Sequence, residues 1–117
     1  YCLTVILCGL CKYEGMEIII QQKVQSFILS LEPDAKKKIA RDMDLLEKYS
    51  YLLGMPNSKR LHNNLYELRI RGQQEVRLFY CFYNGGIYMV HGIIKKTEKL
   101  PRREFKIALK NSKKILD

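Results

Sequence analysis

The spacing of apolar and polar positions changes period along this chain, and the changes separate strands from helices. Residues 17–22, EIIIQQ, form a short β-branched run that predicts a first strand. Val24, Phe27, Ile28 and Leu31 then fall at helical spacing and predict a short amphipathic helix. Pro33 suits the first position of a second, longer helix, where its fixed φ is already helical. Glu32 and Asp34 beside it carry the sign that the helix dipole favours. Ala35, Ile39, Met43, Leu46 and Tyr49 or Leu53 recur every three or four residues, while Lys36, Lys37, Arg41, Asp44 and Lys48 face away, and Gly54 and Pro56 form the expected stop. The two helices are expected to form a hairpin on one face of a sheet.

After a loop containing Asn57, Ser58, Lys59 and Arg60 the period drops to two. Tyr66, Leu68 and Ile70 share one face, leaving Glu67, Arg69 and Arg71 on the other. Gly72-Gln73-Gln74 turns the chain. In the next strand Val76, Leu78, Tyr80 and Phe82 alternate with Arg77, Phe79, Cys81 and Tyr83. Asn84-Gly85 predicts a two-residue hairpin, because both positions tolerate positive φ. Residues 87–94 are apolar on both sides, as a central or well-covered strand would be. Pro101 opens a last helix whose buried stripe is Phe105, Ala108, Leu109 and Ser112 or Leu116. The order β, α, α, β-meander, α predicts an α+β domain. Its N-terminal strand and helical hairpin pack on a twisted antiparallel sheet, and a C-terminal helix follows.

A chain of 117 residues is long enough to bury roughly two-thirds of its unfolded surface as one domain, without metal or disulfide support. Residues 16–117 are expected to form that domain. Residues 1–15, YCLTVILCGLCKYEG, read as an extension of unassigned role. Their apolar run of about ten residues is too short to cross a bilayer, and no basic segment precedes it. Cys8 and Cys11 have the C-x-x-C spacing of half a zinc or redox site. The second ligand pair is missing, since His62 and His91 stand apart from each other and from further cysteines. Neither a metal nor another cofactor is expected, and free thiols suit a reducing, cytoplasmic compartment.

The charge of +9 is unevenly placed. The first 58 residues balance seven lysines and arginines against seven carboxylates, whereas the remaining 59 hold fourteen against five. A polyanion partner follows, and nucleic acid is favoured over a membrane because the cations lie on strands as well as on a helix. Alternation and strand order bring Arg69, Arg77 and the Lys95-Lys96 pair near one another. Cleaving RNA without a metal requires deprotonating a ribose 2′-hydroxyl, neutralising a pentacoordinate phosphate and protonating the leaving 5′-oxygen. Arg77, held in mid-sheet, suits the scissile phosphate. Arg69 reaches the same oxygens if register sets the two side by side. Lys95 or Lys96 is a candidate base, while Tyr80, Tyr83 and Tyr88 offer rings for base stacking. His91 is either an acid–base group or a structural histidine among apolar neighbours. Arginines alternating with apolar residues also occur on any half-solvated sheet.

Residues 63–71, NNLYELRIR, with EVRLFY at 75–80 and HGIIKKTEKLP at 91–101, resemble the RelE/ParE superfamily of bacterial and phage toxins, nearest its HigB-like, phage-derived branch. The resemblance covers residues 16–117. The chain departs from it at Ile94, where an aromatic is usual, and in the extension. It implies a RelE-like fold and a type II toxin, a ribosome-dependent endoribonuclease that cuts messenger RNA and is neutralised by a cognate helix-turn-helix antitoxin. Carried over residue by residue, the family's strand arginines map to Arg69 and Arg77 and its basic pair to Lys95 and Lys96; His91 joins them as a candidate catalytic residue, and Arg71, Tyr83 and Lys99 are candidates for substrate binding. The partners are the ribosome and messenger RNA, with no membrane. A ParE-like gyrase inhibitor would share the fold without needing convergent cations, and a non-catalytic nucleic-acid-binding module would need the charge alone.

Overall fold

A computed structural model describes residues 17–116 of the chain. The elements run β1 (Glu17–Ile20), α1 (Gln22–Leu29), α2 (Pro33–Tyr49), a single 3₁₀ turn (Ser50–Leu52), β2 (Ser58–His62), β3 (Leu65–Ile70), β4 (Val76–Tyr83), β5 (Gly86–Ile94) and α3 (Arg102–Leu116). The five strands form one sheet in the order β1-β5-β4-β3-β2. Residues 1–15 and the Cys8–Cys11 pair lie outside the described residues.

Two features correct the sequence reading of the sheet. It is mixed and not wholly antiparallel, because β1 pairs with β5 in parallel, Ile18 opposite Ile87 and Ile20 opposite Met89. The α1–α2 hairpin lies between them in sequence and supplies the crossover that a parallel pair needs. The segment read as a loop before the meander is strand β2, with Ser58 opposite Leu68 and Arg60 opposite Tyr66. Its sequence, SKRLH, carries no apolar alternation, since it is an edge strand bonded on one side and largely exposed. Helix α2 also stops earlier than Gly54. Ser50 turns out at φ 42° and the chain tightens into the 3₁₀ turn.

The helices cover both faces. On one, Val24 of α1 and Ala35, Ile39 and Leu46 of α2 meet Leu68, Leu78, Tyr80 and Met89. On the other, Phe105, Ala108 and Leu109 of α3 meet Leu65, Phe79, Cys81 and Val90. Every residue of β4 from Val76 to Phe82 is therefore buried, although its sequence reads as alternating. The predicted turn is present, with Asn84 at φ 49° and Gly85 at φ 79°. A register shift opposite Phe79 and Tyr80 inserts Val90 into β5, so Val90 and His91 both serve the α3 face.

Tyr80 is wholly buried, and its hydroxyl hydrogen-bonds the Ser58 hydroxyl. Burial pushes the phenol up to about 12 and the Cys81 thiol up to about 11, so both stay neutral. Gly92 faces α1 where a Cβ would stand 2.6 Å from Phe27 Cδ2 and 2.9 Å from Leu78 Cδ2. Gly92→Ala is expected to lower stability by about 1–3 kcal/mol, read as an earlier urea midpoint. An unchanged midpoint would mean that α1 can move away at no cost.

Asp42 lies on the buried stripe of α2 between Ile39 and Leu46 and is 3% exposed. Burial raises its pKa above the ordinary 3.8, with the neighbouring Arg41 guanidinium opposing the rise. A raised folded-state value means that ionisation costs stability, increasingly as pH climbs from the ordinary value through the folded one. Asp42→Asn should therefore stabilise the protein at pH 7 and leave it nearly unchanged near pH 3. Urea titrations at the two pH values check this, and an equal gain at both would remove the titration as its cause.

Candidate functional site

Strand register sets the cationic residues in rows across the α3 face. Arg69 stands directly opposite Arg77, which stands opposite Ile93. One row away, Glu67 faces Phe79 and Phe79 faces His91. In the other direction the Lys95 amide donates to the Glu75 carbonyl at 2.6 Å, carrying the β4–β5 pairing one step further. Two arginines side by side would repel, and the sheet answers with two carboxylates. Glu67 Oε1 lies 3.7 Å from Arg69 Nε and 3.8 Å from Arg77 Nε, and Glu75 Oε2 lies 3.7 Å from Arg77 Nη1. These separations give Coulombic attraction without hydrogen-bond geometry. Arg77 Nη1 donates instead to its neighbour's carbonyl, Val76 O, at 3.0 Å. The Nε donors of both arginines are buried with no acceptor among the described residues.

The two guanidiniums differ in access. Arg77 is 3% exposed, so a solvent-borne phosphate does not reach it while its cover is in place. The Arg69 side chain is 16% exposed, and its Nη1 lies 3.6 Å from Met55 Sδ. Lys95 is half-buried just past β5, while Lys96 and Lys99 are exposed in the segment leading to α3. Within that segment the Thr97 hydroxyl donates to the Lys99 carbonyl at 2.6 Å. Arg71 is exposed beyond the end of β3, where its carbonyl accepts from Lys38 Nζ at 3.0 Å.

His91 stacks on Phe79 at 5.7 Å between ring centroids, and its Nε2 lies 3.5 Å from Glu104 Oε1 on α3. Tyr83 ends β4 at the opposite end from Arg77, edge-on to Tyr88 at 6.2 Å, roughly 20 Å along the strand from the arginine row. The structure thus sets Arg69 beside Arg77, places His91 and Lys95 one row away on either side, and leaves Tyr83 apart. Glu67, Glu75 and Glu104 are the residues that sequence reading passed over. Period-two alternation already puts Glu67 on the face of Arg69, whereas Glu104 meets His91 only through the docking of α3.

Among the described residues no cluster of three His, Cys, Asp or Glu side chains could hold a metal ion, and no helix is long and apolar enough to cross a membrane. The fold itself is that of the RelE toxins. A double arginine-to-alanine variant of the E. coli toxin RelE, in the free state, superposes with a TM-score of 0.62 at 11% identity, over 86% of this chain and 98% of that one. The family model for phage-derived Gp49-like proteins matches residues 26–113, and the chain belongs to that family. This agrees with the RelE-superfamily resemblance of its motifs. Among curated proteins, none matches the sequence.

Proposed function

We propose that this protein is the toxin of a type II toxin–antitoxin system and cuts messenger RNA on the ribosome, in the cytoplasm, without a metal. The observation that carries the reading is the Arg69–Arg77 pair, set directly across β3 and β4, with the Arg69 side chain still reaching solvent. Charged donors on a rigid sheet are suited to phosphate oxygens whose charge grows in the transition state. Arg69, the more accessible, holds the scissile phosphate. Arg77 adds a fixed positive charge beneath it, and Glu67 keeps both guanidiniums in place.

In the reaction the ribose 2′-oxygen bonds to phosphorus as the bond to the 5′-oxygen breaks, giving a 2′,3′-cyclic phosphate and a free 5′-hydroxyl. One proton leaves the 2′-hydroxyl and another reaches the 5′-oxygen. His91 and Lys95 lie on either side of the arginine row, each two residues along β5 from Ile93, or about 7 Å. In-line displacement needs a proton acceptor and a donor on opposite sides of the phosphate. Lys96, Lys99 and Arg71, all exposed, hold the flanking backbone, and Tyr83 stacks a more distant base. The cognate antitoxin is of helix-turn-helix type and neutralises the toxin.

A second reading has its own support. Arg77 is buried and lies between two carboxylates, as a purely structural ion cluster would, which favours a ParE-like toxin that inhibits gyrase and cleaves nothing. Expression in bacteria with primer-extension mapping of message 5′ ends separates the two. New ends that disappear with Arg69→Ala support the nuclease. Growth arrest with intact messages and altered plasmid supercoiling supports the gyrase inhibitor.

A further inference from the structure

A concavity lies apart from the arginine row. Between the start of α1, the β5 edge beyond its pairing with β1, and the middle of α3 is a cleft of about 550 Å³, within the size range of small-ligand sites. Its walls carry Lys23 from α1 and Lys114 from α3, both exposed at their tips. Gln21, Gln22 and Asn111 contribute carboxamides, and Val24, Phe27, Val90 and Ile107 an apolar lining. Among the described residues, no carboxylate lines it. The nearest to its histidine, Glu104, meets His91 Nε2 at 3.5 Å.

The cleft is built before any ligand arrives. Phe27 is locked against Gly92, where a Cβ would not fit. Asn111 Nδ2 donates to the Val90 carbonyl at 2.9 Å, tying α3 to β5 and leaving the Asn111 carbonyl oxygen for another donor. The His91 ring is held by Phe79 on one side and Glu104 on the other. Preformed walls lower the ordering cost of binding.

We propose that this cleft binds a nucleoside phosphate, with the phosphate between the ammonium groups of Lys23 and Lys114 and the base against the apolar lining. The carboxamides supply donors and acceptors for the base edge, and the Phe27 and His91 rings offer stacking surface. An acidic peptide would satisfy the lysines but would leave the aromatic and carboxamide lining without a matching partner. The cleft shares His91 with the cleavage reading but none of the arginine row, so changes at Lys23 and Lys114 test it without touching Arg69 or Arg77. The phosphate can belong to a free nucleotide or to an RNA strand.

The test is an NMR titration of the isotopically labelled full chain with adenosine 5′-monophosphate, a uridine tetranucleotide and inorganic phosphate as separate probes. Saturable shifts in residues 21–24, 90–92 and 107–114 are expected from at least one nucleotide probe. The mononucleotide responding identifies a free-nucleotide site, and the tetranucleotide alone responding identifies a strand. The Lys23→Gln/Lys114→Gln variant, altered only at exposed positions, should bind at least tenfold more weakly and show a flatter salt dependence. The proposal is overturned if neither nucleotide saturates by millimolar concentration, if the variant binds as tightly as the parent, or if inorganic phosphate matches the nucleotide in affinity and shifts.

Discussion

Arg77→Ala is expected to cost about 3–5 kcal/mol of folding stability, because removing one member of a buried ion cluster strands the others. Glu67, itself 4% exposed, would keep only the contact with Arg69 at 3.7 Å, and Glu75 Oε2 would lose the guanidinium at 3.7 Å. Set against a total of about 5–15 kcal/mol for a typical domain, such a loss leaves much of the protein unfolded or aggregated at 37 °C. Arg77→Ala is therefore a poor probe of chemistry: its inactivity would report unfolding. Pairing Arg77→Met with Glu67→Gln removes both charges together and should recover much of the loss, since apolar or neutral replacements of a buried pair are often nearly neutral. Urea unfolding of the single and double variants checks this. An Arg77→Ala midpoint close to that of the parent would show that the cluster does not help to hold β3 and β4 together.

Arg69→Ala is the complementary experiment and should act on rate. Its side chain is partly open to solvent, but removing it leaves Glu67 with one partner fewer, so a stability loss of about 1–3 kcal/mol is expected, while cleavage falls by about 10²–10³, the usual effect of removing one preorganised donor from a developing oxyanion. Arg69→Lys should restore only part of the activity, because a single ammonium cannot reproduce the planar fork of a guanidinium. Quantified message 5′ ends or in vitro cleavage, read beside a urea curve, distinguish the two losses. Undiminished cleavage by a folded Arg69→Ala protein would remove the arginine row from the reaction and leave it a structural role.

Much of the candidate site could be read from local pattern. Alternation in LYELRI and EVRLFY puts Arg69 and Arg77 on one face with Glu67, and the turns at 72–74 and 84–85 make the strands neighbours. The register that places the two arginines opposite each other is not local. It depends on how Leu68 and Leu78 share the core beneath the helical hairpin, because a slip of one residue would turn every side chain to the other face. The burial of Arg77 was equally out of reach. An arginine between two apolar residues looks solvated until the opposite face is known to be covered. The edge strand β2 left no mark, since a strand bonded on one side and exposed elsewhere needs no apolar period.

The amino-acid order alone determined the helices and, β2 apart, the extended segments, where the hairpin turns, and that positive charge gathers in the second half, because these follow from neighbours within a few residues. Tertiary structure decided the parallel pairing of β1, the covering of the arginine face by α3 and the joining of Lys23, His91 and Lys114 around one cleft. The physical reason is separation along the chain. Those contacts join groups tens of residues apart, and their partners are selected by which apolar faces close on one another and by no feature of the residues alone.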